Sequence, residues 1–260
     1  MRGLLSIAYL NFKEATRDKF FWGVIFFFFF YLTFCILLGK LAPGHTDKVL
    51  RNAGLVGIEL SVILLVIFSF ISSFSKEKDS RMLEVYISNM GRSKYLTGKL
   101  WGYIFISLFY IFFASITYGL ILFLYRSFNW AIFFALFVIF LKVSIIVSLS
   151  SLFACIFSSP TIALLSTVFV YIAGETGSAA YKIVSSQGAL LEKKLVEVIY
   201  FFLPNMDKID IKSQAVYGSI PESSYFFWIV CYVLIYNVFL LSLIHISEPT
   251  RLGMISYAVF

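Results

Sequence analysis

The sequence predicts an all-α polytopic membrane protein built from six transmembrane helices. The chain is 60% hydrophobic and 13% charged, whereas soluble domains are about 45–50% apolar and about 25% charged. Five of its six apolar segments reach the ~20 residues that a helix needs to cross a bilayer, and the sixth is shorter. Because lipid does not tolerate irregular backbone, and the alternating pattern of a membrane barrel is missing, helices are the expected structure. The predicted spans are residues 20–41, 54–74, 101–125, 130–157, 161–181 and 225–240.

The segment before the first span is predicted to form an amphipathic helix that lies in the membrane interface. A cytosolic extension of the first span is the alternative interpretation. The wheel separates an apolar from a polar side, although Ile7 and Leu10 blur the boundary. Within the first span, the run Phe26–Phe30 points all round the helix, so we interpret it as facing lipid. The apolar side of the N-terminal helix is Leu4, Leu5, Ala8, Phe12 and Ala15, and the polar side is Arg2, Ser6, Lys13 and Arg17.

A charged segment, residues 75–99, separates the second span from the third and cannot sit in hydrocarbon. It holds six Lys or Arg residues and the N-terminal segment holds four, which gives ten, against four in the short loops opposite. The positive-inside rule therefore predicts that both segments face the cytoplasm, in the cell (inner) membrane. Met82, Val85 and Tyr86 follow i, i+3, i+4 spacing, so we expect a helix that docks a partner, followed by a break at Gly91.

Two segments near the end of the chain are interpreted separately. Residues 182–224 are expected outside, with residues 189–203 as a helix on the outer interface that Pro204 ends. The last twenty residues, 241–260, resemble a translated sequencing adapter, LSLIHISEPTR followed by a three-residue index. We therefore expect residues 1–240 to form the transmembrane domain, with a truncated sixth helix, and the rest to be a non-native tail.

Three charged residues lie within predicted spans: Glu59, Lys142 and Glu175. Lys142 is closest to a span centre, where a charge is most costly, so it is the best functional candidate. Either glutamate can pair with it if the second, fourth and fifth spans pack together. Two interpretations stay open: an ion pair that holds the bundle together, and a polar wall of a substrate path.

Other chemistry finds little support in the sequence. The histidines and the three cysteines lack metal-ligand spacing, so no metal site is expected. The P-loop pattern G-x-x-x-x-G-K-[ST] is missing, so we expect the chain not to be an ATPase or another enzyme and to bind no cofactor itself. The net charge of +7 fits an anionic lipid surface. It is not expected to indicate nucleic-acid binding, because no basic face with interleaved aromatic residues stands outside the spans.

Four motifs in order give the chain a family resemblance. It resembles the membrane subunits of ATP-binding-cassette (ABC) transporters of the type 2 permease class, especially the branch associated with multi-copper enzyme maturation. The resemblance covers nearly all of residues 1–240, and composition does not favour copper as the cargo. The motifs are NFKEATRDKFFW (residues 11–22), the segment with Glu77 and Leu83 ahead of Ser88, GRSKYLTGKLWG (residues 91–102) and FFLPNMDKIDIK (residues 201–212).

The resemblance implies a six-helix half-transporter that works in export and pairs with an identical or related second permease half. A separate ABC ATPase subunit would bind ATP and Mg²⁺ and dock on the cytoplasmic side. The N-terminal helix would be the interfacial elbow, and residues 77–86 would form the coupling helix. The implied coupling residues are Glu77, Arg81, Met82, Val85 and Tyr86.

Two other functions compete with the permease. A membrane scaffold or assembly factor would use the same loops to dock a partner that does not hydrolyse ATP. An ion- or proton-coupled carrier would use Lys142 and the two glutamates, and inverted repeats with broken helices would favour it. The sequence names neither the cargo nor the direction of transport.

Overall fold

The computed structural model describes the backbone of residues 2–42, 44–187, 194, 196–197, 200 and 203–256. Six of its helices are long and apolar enough to cross a membrane, so the prediction of an all-α polytopic membrane protein is confirmed. The helices are α1 (Arg2–Arg17), α2 (Lys19–Leu41), α3 (Thr46–Asp79), α4 (Met82–Met90), α5 (Arg92–Leu124), α6 (Ala131–Ile156), α7 (Pro160–Gln187), α8 (Lys212–Tyr217) and α9 (Ser223–Ser256), with a 3-10 turn at Asp207–Ile209.

Two of the six spans form the centre of the bundle. The most apolar windows of α3 and α6 are 78% and 72% buried, whereas those of the other four spans are at most 33% buried. The peripheral helices therefore present apolar side chains outward, as expected for surfaces that face lipid. In the run Phe26–Phe30, Phe28 is buried and its four neighbours are half-buried or exposed.

Close contacts of glycine and tyrosine fix the packing around α3. A Cβ atom on Gly57 would lie 2.1 Å from Cε1 of Tyr31 on α2, and one on Gly54 would lie 2.0 Å from Cε2 of Tyr118 on α5. Each tyrosine is held in place by a hydrogen bond to α3: the Tyr31 hydroxyl donates to the Ala53 carbonyl at 3.0 Å, and Tyr118 bonds in the same way to another α3 carbonyl. The rings occupy the space that side chains at the glycines would need.

The N-terminal helix α1 packs along α5. Its buried residues are Ile7, Ala8, Asn11 and Ala15, while Leu10 is exposed. The predicted helix is present, but its buried side is rotated from the predicted apolar side toward Ile7 and Asn11. Asn11 satisfies its amide by donating to the Ile7 carbonyl at 3.0 Å, so a polar residue can lie in this contact. The side chains of residues 2–6 lie outside the described residues.

The charged segment between the second and third spans contains a helix break at Arg81 that the sequence analysis did not predict. The helix expected over residues 77–86 is interrupted, because Arg81 adopts the left-handed conformation with φ of 55°. Glu77 therefore belongs to the last turns of α3, and α4 starts only at Met82. The break expected at Gly91 is confirmed: its φ of 79° suits glycine, which has no Cβ penalty there.

The segment before the last span folds back into the bundle. Met206, Ile209, Ile211 and Ala215 are buried, so residues 203–217 pack against the ends of α3, α6 and α7 rather than forming a solvated loop. The helix predicted over residues 189–203 lies mostly outside the described residues. The last helix, α9, runs without a break across the boundary predicted at residue 241, so its backbone carries no mark of that boundary.

Candidate functional site

Two clusters of charged side chains lie at opposite ends of the bundle. We call the end that carries α1 and α4 the basic face, because Arg17, Lys19, Lys76 and Lys78 are located there. The other end, with the turn between α5 and α6 and residues 203–217, is the opposite face.

The cluster near the opposite face is centred on Lys142 of α6. Its Nζ lies 2.7 Å from Glu59 Oε1 of α3 and 2.5 Å from Glu175 Oε1 of α7. The structure thus brings together the three charged residues that sequence analysis found within spans. Lys142 and Glu59 are each only 2% exposed at their side chains. Because an unpaired charge at such a site is very costly, the three residues tie α3, α6 and α7 to one another.

Two residues that sequence analysis did not assign complete this cluster. Lys212 forms an ion pair with Glu59, and its Nζ lies 2.9 Å from Asp210 Oδ2, which is itself 3.8 Å from Lys142. Both belong to residues 203–217, the segment that folds back into the bundle before the last span. The alternation of the apolar Ile209 and Ile211 with these charges was the available signal, since it separates Asp210 and Lys212 from the buried side of the segment.

The five groups of the Lys142 cluster do not balance in charge. Three carboxylates face two ammonium groups, so the fully ionised cluster carries a net charge of −1. Burial alone would lower the pKa of Lys212, but the charges of Glu59 and Asp210 raise it above its ordinary value. Lys212 is therefore a fixed cation at neutral pH. Glu175, Asp210 and Lys212 are partly exposed, so the cluster is accessible to solvent from the opposite face.

A row of hydrogen-bonded polar side chains on α6 continues from this cluster toward the basic face. Asn237 of α9 donates to Ser144 Oγ at 3.0 Å, and Ser148 donates to Asn237 Oδ1 at 2.7 Å. The serines were noted in the sequence as polar residues of this span, but their partner Asn237 was missed because a lone amide in an apolar helix has no periodic signal. Ser151 Oγ is buried and has no hydrogen-bond partner among the described residues.

The second cluster lies near the basic face and is centred on Lys99 of α5. Lys99 is completely buried, and its Nζ donates to Glu77 Oε2 at 2.6 Å and to Ser73 Oγ at 3.1 Å. The Tyr95 hydroxyl also donates to Glu77. Sequence analysis counted Lys99 among the six basic residues of the cytoplasmic segment 75–99 and predicted neither its burial nor its pairing with Glu77. The first turns of α5 pack beside the end of α3, so this lysine points into the bundle and joins the two helices.

The five predicted coupling residues fall into two groups in the structure. Met82 and Val85 of α4 are 55% and 59% exposed, and Arg81 is exposed at the helix start. By contrast, Glu77 forms an ion pair with the buried Lys99. Tyr86 is half-buried and stacks on Tyr95 with 5.9 Å between ring centroids. One side of α4 is thus anchored to the bundle, and the other displays apolar side chains.

The described part of the chain contains no cluster of side chains suited to bind a metal ion. No group of three or more His, Cys, Asp or Glu side chains there is arranged to hold an ion. The carboxylates of the Lys142 cluster instead face ammonium groups, whose positive charges disfavour a cation at the same place. The cysteines at 35, 155 and 231 form no disulfide bonds with one another.

Comparison with known proteins adds no family to this description. No known family model matches the chain, and no curated protein is significantly similar to it. Its function is therefore argued from the geometry of the two clusters and of α4.

Proposed function

We propose that the chain is the membrane-spanning permease subunit of an ATP-driven transporter of the ABC type 2 class, coupled to a separate ATPase that docks on α4. The observation that carries this proposal is the two-sided environment of α4. Tyr86 stacks on Tyr95 of α5 and so anchors α4 to the bundle, while Met82 and Val85 project outward. A short helix that is anchored on one side and exposes two apolar side chains on the other is suited to dock in a groove of a partner.

The charge distribution supports a cytoplasmic position for α4. The basic face carries Arg17, Lys19, Lys76 and Lys78, and Lys94 lies beside α4. An excess of Lys and Arg near the ends of spans favours the cytoplasmic side. With this orientation the N-terminus is cytoplasmic and an ATPase in the cytosol reaches α4. ATP and Mg²⁺ belong to that partner.

The connections of α4 give a route for movement into the bundle. The helix is joined to the end of α3 through Arg81 and to the start of α5 through Gly91. Displacement of α4 therefore acts on the central helix α3 and on the peripheral helix α5 together. Closure of an ATPase pair would shift the bundle between two packings, which is a known type of switching transition. We propose that a second permease half completes the path and that the complex works as an exporter.

The test is copurification with a P-loop ATPase encoded by a neighbouring reading frame. Met82→Glu and Val85→Glu place charges on the free side of α4, and each is expected to weaken ATPase binding at least about tenfold, the usual scale for a lost apolar anchor. Ile220→Glu is the matched control, because Ile220 is 60% exposed but lies at the opposite face. Glu77 is unsuitable as a docking variant, since changing it breaks the buried pair with Lys99.

Two results would count against the proposal. Undiminished ATPase binding by both α4 variants would remove α4 from the docking surface. A partner that binds α4 but hydrolyses no ATP would favour the scaffold interpretation instead.

A further inference from the structure

A wide groove on the basic face is lined by four cationic side chains. The groove has a volume of about 650 Å³ and lies between the end of α1, the start of α2 and the end of α3. The cations are Lys13 and Arg17 of α1, Lys19 of α2 and Lys76 of α3, and all four are exposed. They come from three helices, so the fold gathers charges that are up to 63 positions apart in the chain.

Two carboxylates, Asp18 and Glu14, also line the groove. Asp18 Oδ1 accepts a hydrogen bond from the Phe20 amide at 3.1 Å and so caps α2, while its other oxygen lies 3.8 Å from Lys76 Nζ. Glu14 also lines the small cavity that leads to Glu77. Four cations against two carboxylates leave the groove with a net charge of +2.

The groove lies at the depth of a lipid headgroup. Lys19 is the first residue of the apolar helix α2, and Lys76 follows the apolar part of α3. Directly after Lys19, Phe20 packs on Phe68 with 5.3 Å between ring centroids, and Trp22 is 62% exposed. Tryptophan is enriched where a span meets the headgroup layer. The cations are thus held at the boundary between hydrocarbon and water.

We infer that this groove binds the phosphate headgroup of an anionic phospholipid. Basic pockets between spans at the membrane surface are suited to such headgroups, because each Lys or Arg near the surface contributes attraction to anionic lipid. The open shape of the groove and its position beside lipid-facing Trp22 favour a lipid over a soluble phosphate compound. The bound lipid would hold α1 and α2 against the end of α3. This inference stands apart from the proposed function, since a headgroup site needs no ATPase.

The experiment measures lipid selectivity of the full chain in nanodiscs of phosphatidylcholine that contain a minor fraction of phosphatidylglycerol. Native mass spectrometry counts the phosphatidylglycerol molecules retained by the released protein. The double variant Arg17→Gln/Lys19→Gln is expected to lower selective retention about 25-fold, at about fivefold for each cation lost. The double variant Lys78→Gln/Lys94→Gln loses the same charge from exposed positions on this face that do not line the groove. It is expected to stay within about threefold of the parent, because separated exposed charges are screened.

A second pair keeps the test decisive if the first fails to fold. Lys13→Gln/Lys76→Gln removes the other two cations, and it is expected to reduce retention by a similar factor. Gel filtration and circular dichroism identify the correctly folded variants.

Several outcomes would overturn the inference. An equal loss in the groove and control variants would show general surface charge and no site. If inorganic phosphate added to pure phosphatidylcholine nanodiscs protects the parent from thermal unfolding as well as phosphatidylglycerol does, the ligand is a soluble phosphate. If the groove variants keep their lipid but lose a copurifying protein, the groove is a protein contact.

Discussion

Replacing Lys142 with methionine removes the ammonium group shared by Glu59 and Glu175. The methionine has a similar length and remains apolar, so the change tests charge rather than volume. The cluster would pass from a net charge of −1 to −2, with Glu59 2% exposed at its side chain. Breaking a buried pair in this way costs about 3–5 kcal/mol, because the remaining charge is left uncompensated. Since Lys212 still pairs with Glu59, we expect a loss near about 3 kcal/mol.

The assay is the free energy of unfolding in mixed micelles titrated with a denaturing detergent. Adding Glu175→Gln to the Lys142→Met variant restores the net charge to −1, and it is expected to recover about 1–2 kcal/mol of the loss by coupling between the neighbouring sites. Lys40→Met is the control, because Lys40 is exposed at the end of α2. A loss below about 1 kcal/mol for Lys142→Met would refute the view that this lysine holds three helices together.

Three further predictions concern other parts of the bundle. Lys99→Met leaves Glu77 unpaired near the basic face and is expected to cost about 3–5 kcal/mol of unfolding free energy in the same titration. Gly57→Ala drives a methyl group into the Tyr31 ring and is expected to cost about 1–3 kcal/mol, with recovery when Tyr31→Leu is added. Because the pKa of Lys212 is raised above 10.5, its stabilising contribution is complete below that pH. It is lost only as pH rises through the higher folded value, so stability measured between pH 7 and 9 is expected to show no loss from this group.

Matched variants check the first two of these predictions. Lys94→Met removes an exposed lysine from the same helix as Lys99, and a loss equal to that of Lys99→Met would contradict the buried pair. Gly119→Ala adds a methyl group where no atom lies within 4 Å. It is expected to be neutral or stabilising by up to about 1 kcal/mol, since alanine favours helix. A cost similar to that of Gly57→Ala would show that the Tyr31 contact is not the cause.

The spans could be predicted because hydropathy is a local property of the chain. A segment of about 20 apolar residues has few alternatives to a membrane helix. The importance of Lys142 could be predicted as well, because a cation in such a segment needs a partner and few were available. Both features are properties of single helices and do not depend on how the helices pack.

The missed features all depend on how distant segments meet. Lys99 looks like a surface residue beside Lys94, and only the packing of α5 on α3 buries it. Asp210 and Lys212 reach the cluster because residues 203–217 fold back into the bundle, and no local pattern requires that return. The left-handed Arg81 is likewise imposed by the turn between α3 and α4, since arginine has no intrinsic preference for positive φ.

The central helix α3 carries one acidic member of each charge cluster, Glu59 near its middle and Glu77 in its last turn. Eighteen positions separate them, which is roughly 27 Å at 1.5 Å per residue. An uninterrupted rod of this length cannot slide or rotate about its axis at one end alone. A displacement of the Glu77 end is therefore transmitted to Glu59, because α3 has no hinge between them. Movement at the basic face is thereby coupled to the Lys142 cluster.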